Sequence, residues 1–231
     1  MLRHDRKQKG FTLIEMIGVL AVIAILAAIV APKIFDAIRD AKIDTLVTNI
    51  NSVRTSIVQY YKDTSTFPQH DADPTAVRAG TAVKDLITRP IDPNTTQRLR
   101  GWQGPYIDKE LENPINPTGD FVILDTASPT AAGPTPNPGT VSFDLDGDGI
   151  ADYSNVANVD GRIFVISYAL VTGLTADEAR ELSEILDSDL GDITAPNAWW
   201  LAGRARTPIA DGSPVAAVGS TVNMWVYLGS R

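Results

Sequence analysis

Between Phe11 and Ala31 the chain carries a single charged side chain, Glu15, in an otherwise apolar or small-residue run. At about 1.5 Å per residue these positions span roughly 30 Å as a helix, the thickness of a bilayer's hydrocarbon core. Beyond Pro32, apolar residues return at Ile34, Ile38, Ile43, Leu46, Ile50, Val53, Ile57 and Tyr60, with Arg39, Asp40, Lys42, Asp44, Asn49, Asn51, Ser52 and Arg54 between them. That spacing lines one helix face. The pattern predicts one helix over residues 11–62, membrane-spanning over 11–31 and amphipathic over 32–62. Pro32 predicts a kink or a locally melted turn.

The remainder alternates short apolar runs with turn signals. Asp63-Thr64-Ser65-Thr66-Phe67-Pro68 ends the long helix. A second helix is expected over 76–88, stopped by Pro90. Strands are expected over 121–124, 162–168, 215–218 and 222–228, the last two joined as a hairpin by Gly219-Ser220-Thr221. Thr175 followed by Asp177 and Glu178 predicts a capped helix carrying Ala179, Leu182, Ile185 and Leu186 on one side, with Gly191 as its stop. Residues 126–140 hold four prolines and two glycines and read as a long exposed loop. The fold class is α+β: a long N-terminal helix packed on an antiparallel sheet within one head over 63–231.

Glu15 changes this picture from architecture to chemistry. A carboxylate inside a bilayer costs on the order of 2–3 kcal/mol, so it marks a functional position and calls for a partner. Residues 1–10 carry Arg3, Arg6, Lys7 and Lys9 against Asp5, which places them on the cytoplasmic side. A secretory signal peptide shares that basic start but is cut after its apolar run, where Ala27, Ala28 and Ala31 would supply the small residues. A plain membrane anchor with a protonated Glu15 is the simpler alternative.

Lys9-Gly10 followed by Phe11-Thr12-Leu13-Ile14-Glu15-Met16 resembles the type IV prepilin signature shared by pilins and by the pseudopilins of type II secretion. The resemblance implies that residues 1–10 are a leader cut after Gly10 by a prepilin peptidase, and that Phe11 becomes an N-methylated terminus. It further implies that Glu15 pairs with the Phe11 amino group of a neighbouring subunit in a helical filament. Gly101-Trp102-Gln103-Gly104-Pro105-Tyr106 is similar to an element of the major pseudopilins. Asn113-Pro114-Ile115-Asn116-Pro117 matches their next element only in part, lacking its acid, tryptophan and glycine. The implied partners are further copies and other pilin-like subunits, the peptidase and an inner-membrane assembly platform. The implied location is the inner membrane, single-pass, with the head in the periplasm or on an extracellular filament.

Loss of the leader would remove four basic residues and one acidic residue from a chain of 20 Lys+Arg and 28 Asp+Glu, leaving a formal charge near −11. An acidic exterior argues against nucleic acid and suits divalent cations. There is no cysteine, so long loops are not braced by disulfides. Apart from His4 in the leader, the only histidine is His70, which excludes multi-histidine metal sites and leaves no support for a nucleophilic triad. The expectation is a non-enzymatic subunit.

Asp144-Leu145-Asp146-Gly147-Asp148-Gly149-Ile150-Ala151-Asp152 fits the alternating-carboxylate pattern of calcium loops. Asp144, Asp146, Asp148 and Asp152 would supply carboxylates and Ile150 its carbonyl. The twelfth position of this 144–155 loop is Asn155, not the bidentate glutamate of an EF-hand, and Asp160 or another segment could complete the shell. A structural Ca2+ there would brace the chain after the proline-rich loop; an acidic turn without an ion is the alternative. Trp199 and Trp200 are expected in the core or at a subunit contact, and Arg204 and Arg206 beside local acids. Three functions remain: a pseudopilin of a type II secretion system, a type IV pilin for adhesion, motility or DNA uptake, and a membrane-anchored calcium-dependent binding module that does not polymerise.

Overall fold

The structure, a computed structural model, describes residues 11–68, 83–90, 98–109, 111–118, 121–125, 141–146, 151–154, 166–189, 203–207 and 221–230. In chain order its elements are α1 (Leu13–Thr64), α2 (Val83–Ile87), β1 (Phe121–Asp125), β2 (Ser142–Phe143), β3 (Tyr153–Ser154), β4 (Ile166–Leu174), α3 (Ala176–Leu186), β5 (Ala205–Arg206) and β6 (Val222–Ser230). The chain divides into two units, Met1–Ala41 and Lys42–Arg231.

In the first unit every described residue is exposed, including Leu13, Ile14, Leu20, Ile25, Ile29 and Phe35. Over residues 16–31 the helix is apolar on all sides and its residues are exposed, which suits lipid or other copies of the helix. Length and composition allow it to cross a membrane. The helix runs through Pro32 without interruption, which corrects the expected melted turn. The proline lacks only one N–H, and the hydrogen bonds on either side hold the helical path.

In the second unit Ile43, Leu46, Ile50, Val53, Ile57 and Tyr60, spaced alternately by three and four residues, are almost fully buried. Ile34 and Ile38, placed on the same stripe by periodicity, are about half exposed because they precede the head. The buried stripe meets one face of an antiparallel sheet of order β1-β4-β6-β5. Strand alternation separates the two faces: Ala169, Val171, Met224 and Val226 join the α1 core, while Ile166, Tyr168, Leu170 and Trp225 face the other way. That second face is covered by Val141 and Phe143, delivered by the β2–β3 pair.

The end of α1 is fastened by the tryptophan-glycine-proline-tyrosine segment. Tyr106 donates its hydroxyl to Asp63 Oδ2 at 2.9 Å, and Trp102 donates Nε1 to the Asp85 carbonyl at 2.9 Å. Ser56 Oγ donates to the Tyr106 carbonyl at 3.0 Å, and the Tyr60 and Tyr106 rings meet edge-on at 5.6 Å. The segment therefore joins α1 to α2 through both rings and backbone. Asn113, almost fully buried, donates to the Thr172 carbonyl and accepts from the Ile115 and Asn116 amides, so this stretch anchors β4 without its family-typical acid.

Several expectations shift. The second helix is seen as Val83–Ile87, and 76–82 lie outside the described residues. β4 runs to Leu174, six residues beyond its expected end, and a register shift between Val171 and Leu174 accommodates Gly173 at φ +77°. The strand over 215–218, its hairpin turn, the loop over 126–140, Gly191, Trp199 and Trp200 lie outside the described residues. α3 ends at Asp187, its C-cap.

Candidate functional site

The N-terminal chemistry begins one residue before the helix. Thr12 stands as its cap: Glu15 N donates to Thr12 Oγ1 at 3.3 Å, and Glu15 Oε2 accepts from Thr12 N at 2.8 Å and from Thr12 Oγ1 at 2.7 Å. This is a reciprocal capping box, which satisfies helix-end donors that lipid could not hydrate. Glu15 is thus held at the start of α1, one turn from Phe11, which is 81% exposed. Gly10 lies outside the described residues. Thr12 is a functional residue that the expectations above did not include, although Thr-x-x-Glu ahead of an apolar run is the signal that marks such a cap.

In the acidic loop the carboxylates of Asp144, Asp146 and Asp152 bring one oxygen each within 4.8 Å of one another. Asp144, next in sequence to buried Phe143, is buried; Asp146 and Asp152 are exposed. Asp152 Oδ2 accepts the Leu145 amide at 2.7 Å, folding the loop back on itself. Asp148, Ile150, Asn155 and Asp160 lie outside the described residues. Three converging hard oxygens fit Ca2+, which takes six to eight such ligands in flexible geometry; they would not by themselves satisfy it.

A third polar assembly closes α3. Asp187 is 7% exposed, and its carboxylate accepts from Arg204 N at 2.6 Å, Ala205 N at 3.3 Å and Ser183 Oγ at 3.4 Å. Burial pushes the Asp187 carboxyl above the usual carboxylate range, against the backbone donors that pull it down. Arg204 forks onto exposed Asp189 at 2.6 and 2.7 Å, which holds that carboxyl below its ordinary value, and also donates to the Leu186 carbonyl at 3.1 Å. Arg204 therefore meets the expectation of a local acid. Arg206 donates to the Ser142 carbonyl and hydroxyl and lies 6.0 Å from the Trp225 ring centroid. Burial lowers its pKa, with Asp144 acting in the opposite sense. No residue-level signal marked Asp187, since a lone aspartate after a helix is common.

The prokaryotic N-terminal methylation motif matches residues 5–31. The chain is 27% identical over 113 residues to the type II secretion system core protein G of Vibrio cholerae, covering 49% of this chain and 69% of that protein. It is 27% identical over 148 residues to the fimbrial protein EcpC of Eikenella corrodens, covering 57% of this chain and 97% of that one. It is 30% identical over 105 residues to the type IV major pilin protein PilE of Neisseria gonorrhoeae, covering 46% of this chain and 62% of that one. No solved structure matches the chain. Together with the long helix and the antiparallel sheet, these matches define a type IV pilin-like subunit bearing the N-methylation motif.

Proposed function

We propose that this chain is a structural, non-enzymatic subunit of a pilin-like filament, and specifically a pseudopilin of a type II protein secretion system. It is cut after Gly10 by a prepilin peptidase, methylated at Phe11 and held in the inner membrane by α1 with its head in the periplasm, until an assembly platform draws it into a filament with copies of itself and other pilin-like subunits. The growing filament acts as a piston or scaffold that moves folded substrates outward. The observation that carries this reading is a helix exposed on all sides whose only charge over 11–31 is a carboxylate at its start. A carboxylate there is tolerable when matched by an ammonium, and the nearest such group is a Phe11 amine freed by cleavage.

Mass spectrometry of the N-terminus tests processing, with a start at methylated Phe11 expected and a start at Met1 or after Ala31 overturning it. Glu15→Leu tests assembly: cross-linking between subunits should be lost while the head stays folded, whereas a non-polymerising anchor would be indifferent. The similarity to a secretion core protein and the Gly104-Pro105-Tyr106 element favour secretion over a pilus. The similarity to PilE favours the pilus reading, and loss of secretion against loss of surface fibres on deletion separates them.

We further propose a structural Ca2+ held by Asp144, Asp146 and Asp152 together with Asp148 and the Ile150 carbonyl, as a brace for a head without disulfides. The support is the convergence of three carboxylates on a loop whose sequence alternates acids with glycines. Calcium should raise the thermal midpoint of the full chain relative to chelator, and Asp146→Asn should abolish that rise. An unchanged midpoint would leave only an acidic turn.

A further inference from the structure

Residues 203–206 stand between two polar assemblies and hold both through consecutive backbone groups. Gly203 N donates to the Asp144 carbonyl at 2.7 Å, and the next amide along, Arg204 N, donates to Asp187 Oδ1 at 2.6 Å. The side chains repeat the arrangement: Arg204 reaches Leu186 and Asp189 at the end of α3, and Arg206 reaches Ser142 at the start of the acidic loop. The Arg204 carbonyl accepts Tyr227 N at 2.7 Å, so β6 fixes the segment from the sheet side.

We propose that residues 203–206 form a strap that couples the acidic loop to the C-terminal end of α3, so that ordering either one orders the other. The Gly203 and Arg204 amides lie in successive peptide planes joined only by the φ and ψ of Gly203, so a shift that takes Gly203 off Asp144 carries Arg204 off Asp187 unless those two torsions compensate. The segment has little freedom to compensate. Gly203 sits at φ +94°, and a Cβ there would lie 2.4 Å from Asp187 Oδ2, so carboxylate and backbone already fit without slack. Asp187 is almost fully buried, and a displaced strap would leave it without its backbone donors. The proposed consequence is that the strap keeps both ends or loses both. A cation in the loop would stiffen the far end of α3, and this last step alone rests on the proposed calcium site.

Amide hydrogen exchange on the full chain in detergent, at neutral pH and without calcium, tests the coupling in both directions. Asp152→Ala, which removes the acceptor of the Leu145 amide, should speed exchange directly at Leu145 and, through the strap, at Arg204 and Ala205 by about tenfold. Asp187→Asn should speed exchange at Arg204 and Ala205 and, through the strap, at Gly203 and Leu145. Changes confined to each variant's own partners would overturn the proposal. Ala169 and Val171 amides report whether the sheet is intact; should Asp187→Asn loosen those too, Ser183→Ala, which removes a single bond to Asp187, replaces it with the same expectation. Calcium added to the wild type should slow exchange at Arg204 and Ala205. Binding seen by calorimetry without that slowing counts against the strap. Absence of binding counts against the cation site alone, and the two variants then decide the strap by themselves.

Discussion

Two backbone positions on the same side of the φ axis respond to substitution with opposite signs. Gly203 at φ +94° faces the Asp187 carboxylate, so Gly203→Ala meets both left-handed strain and a side-chain clash, and should cost about 2 kcal/mol or more in urea denaturation. Ser65, at φ +57° just past α1, already bears the left-handed penalty, and Ser65→Gly should stabilise by about 1 kcal/mol. Asp187 adds a pH signature. Its folded carboxyl binds a proton more tightly than the unfolded one, so the stability linked to it is fully present below the unfolded value of about 3.9 and is lost as pH rises through the raised folded value. Asp189 has the reverse sign: held down by Arg204, its contribution is present above the unfolded value and lost as pH falls through the lowered folded value. Denaturation across a pH series should therefore show that Asp187→Asn removes the part of the decline that sets in as pH rises above about 3.9 and leaves the acid-side loss in place.

At the scale of elements, local rules and tertiary contacts divide the structure between them. α3 was legible because Thr175 and Glu178 form a complete capping box, with Thr175 N donating to Glu178 Oε2 at 2.8 Å and Glu178 N donating to Thr175 Oγ1 at 3.3 Å. Thr175→Ala should lower stability by about 1 kcal/mol, measurable in the same denaturation experiment, and should fray the first turn of α3 next to buried Ala179. The lower half of α1 was legible for a similar reason: six residues at alternating spacings of three and four all became core. Periodicity does not tell which apolar residues a head will cover, and so Ile34 and Ile38 fall on the stripe although both are about half exposed. The two-residue strands β2, β3 and β5 carry too few positions for any alternation to show, and they exist because Phe143 is buried and Arg206 is held by Ser142. The carboxylate pattern of the acidic loop was readable from spacing, whereas its attachment to residues 203–206 depends on contacts between segments far apart in the chain, which no local pattern encodes.

For the whole molecule, the decisive asymmetry is where burial begins. Every described residue from Phe11 to Ala41 is exposed, and the buried positions of α1 start at Ile43 and continue to Tyr60. The head's core, including Ile123, Val171, Leu182, Met224 and Val226, is therefore completed by the second half of α1 alone. A chain beginning at Lys42 keeps that half and discards a surface that only lipid or neighbouring helices could cover. It should be soluble and monomeric, with a thermal midpoint close to that of the full chain in detergent. Its rise with calcium should also persist if the loop at Asp144 binds the ion, because Phe143, Asp144 and the strap residues all lie in the retained unit. If Phe11 and Glu15 carry assembly as proposed, filament formation should vanish, since both go with the discarded segment. A large fall in the midpoint would mean that residues 11–41 support the head directly. Such a result would move the role of the N-terminal helix from assembly to folding.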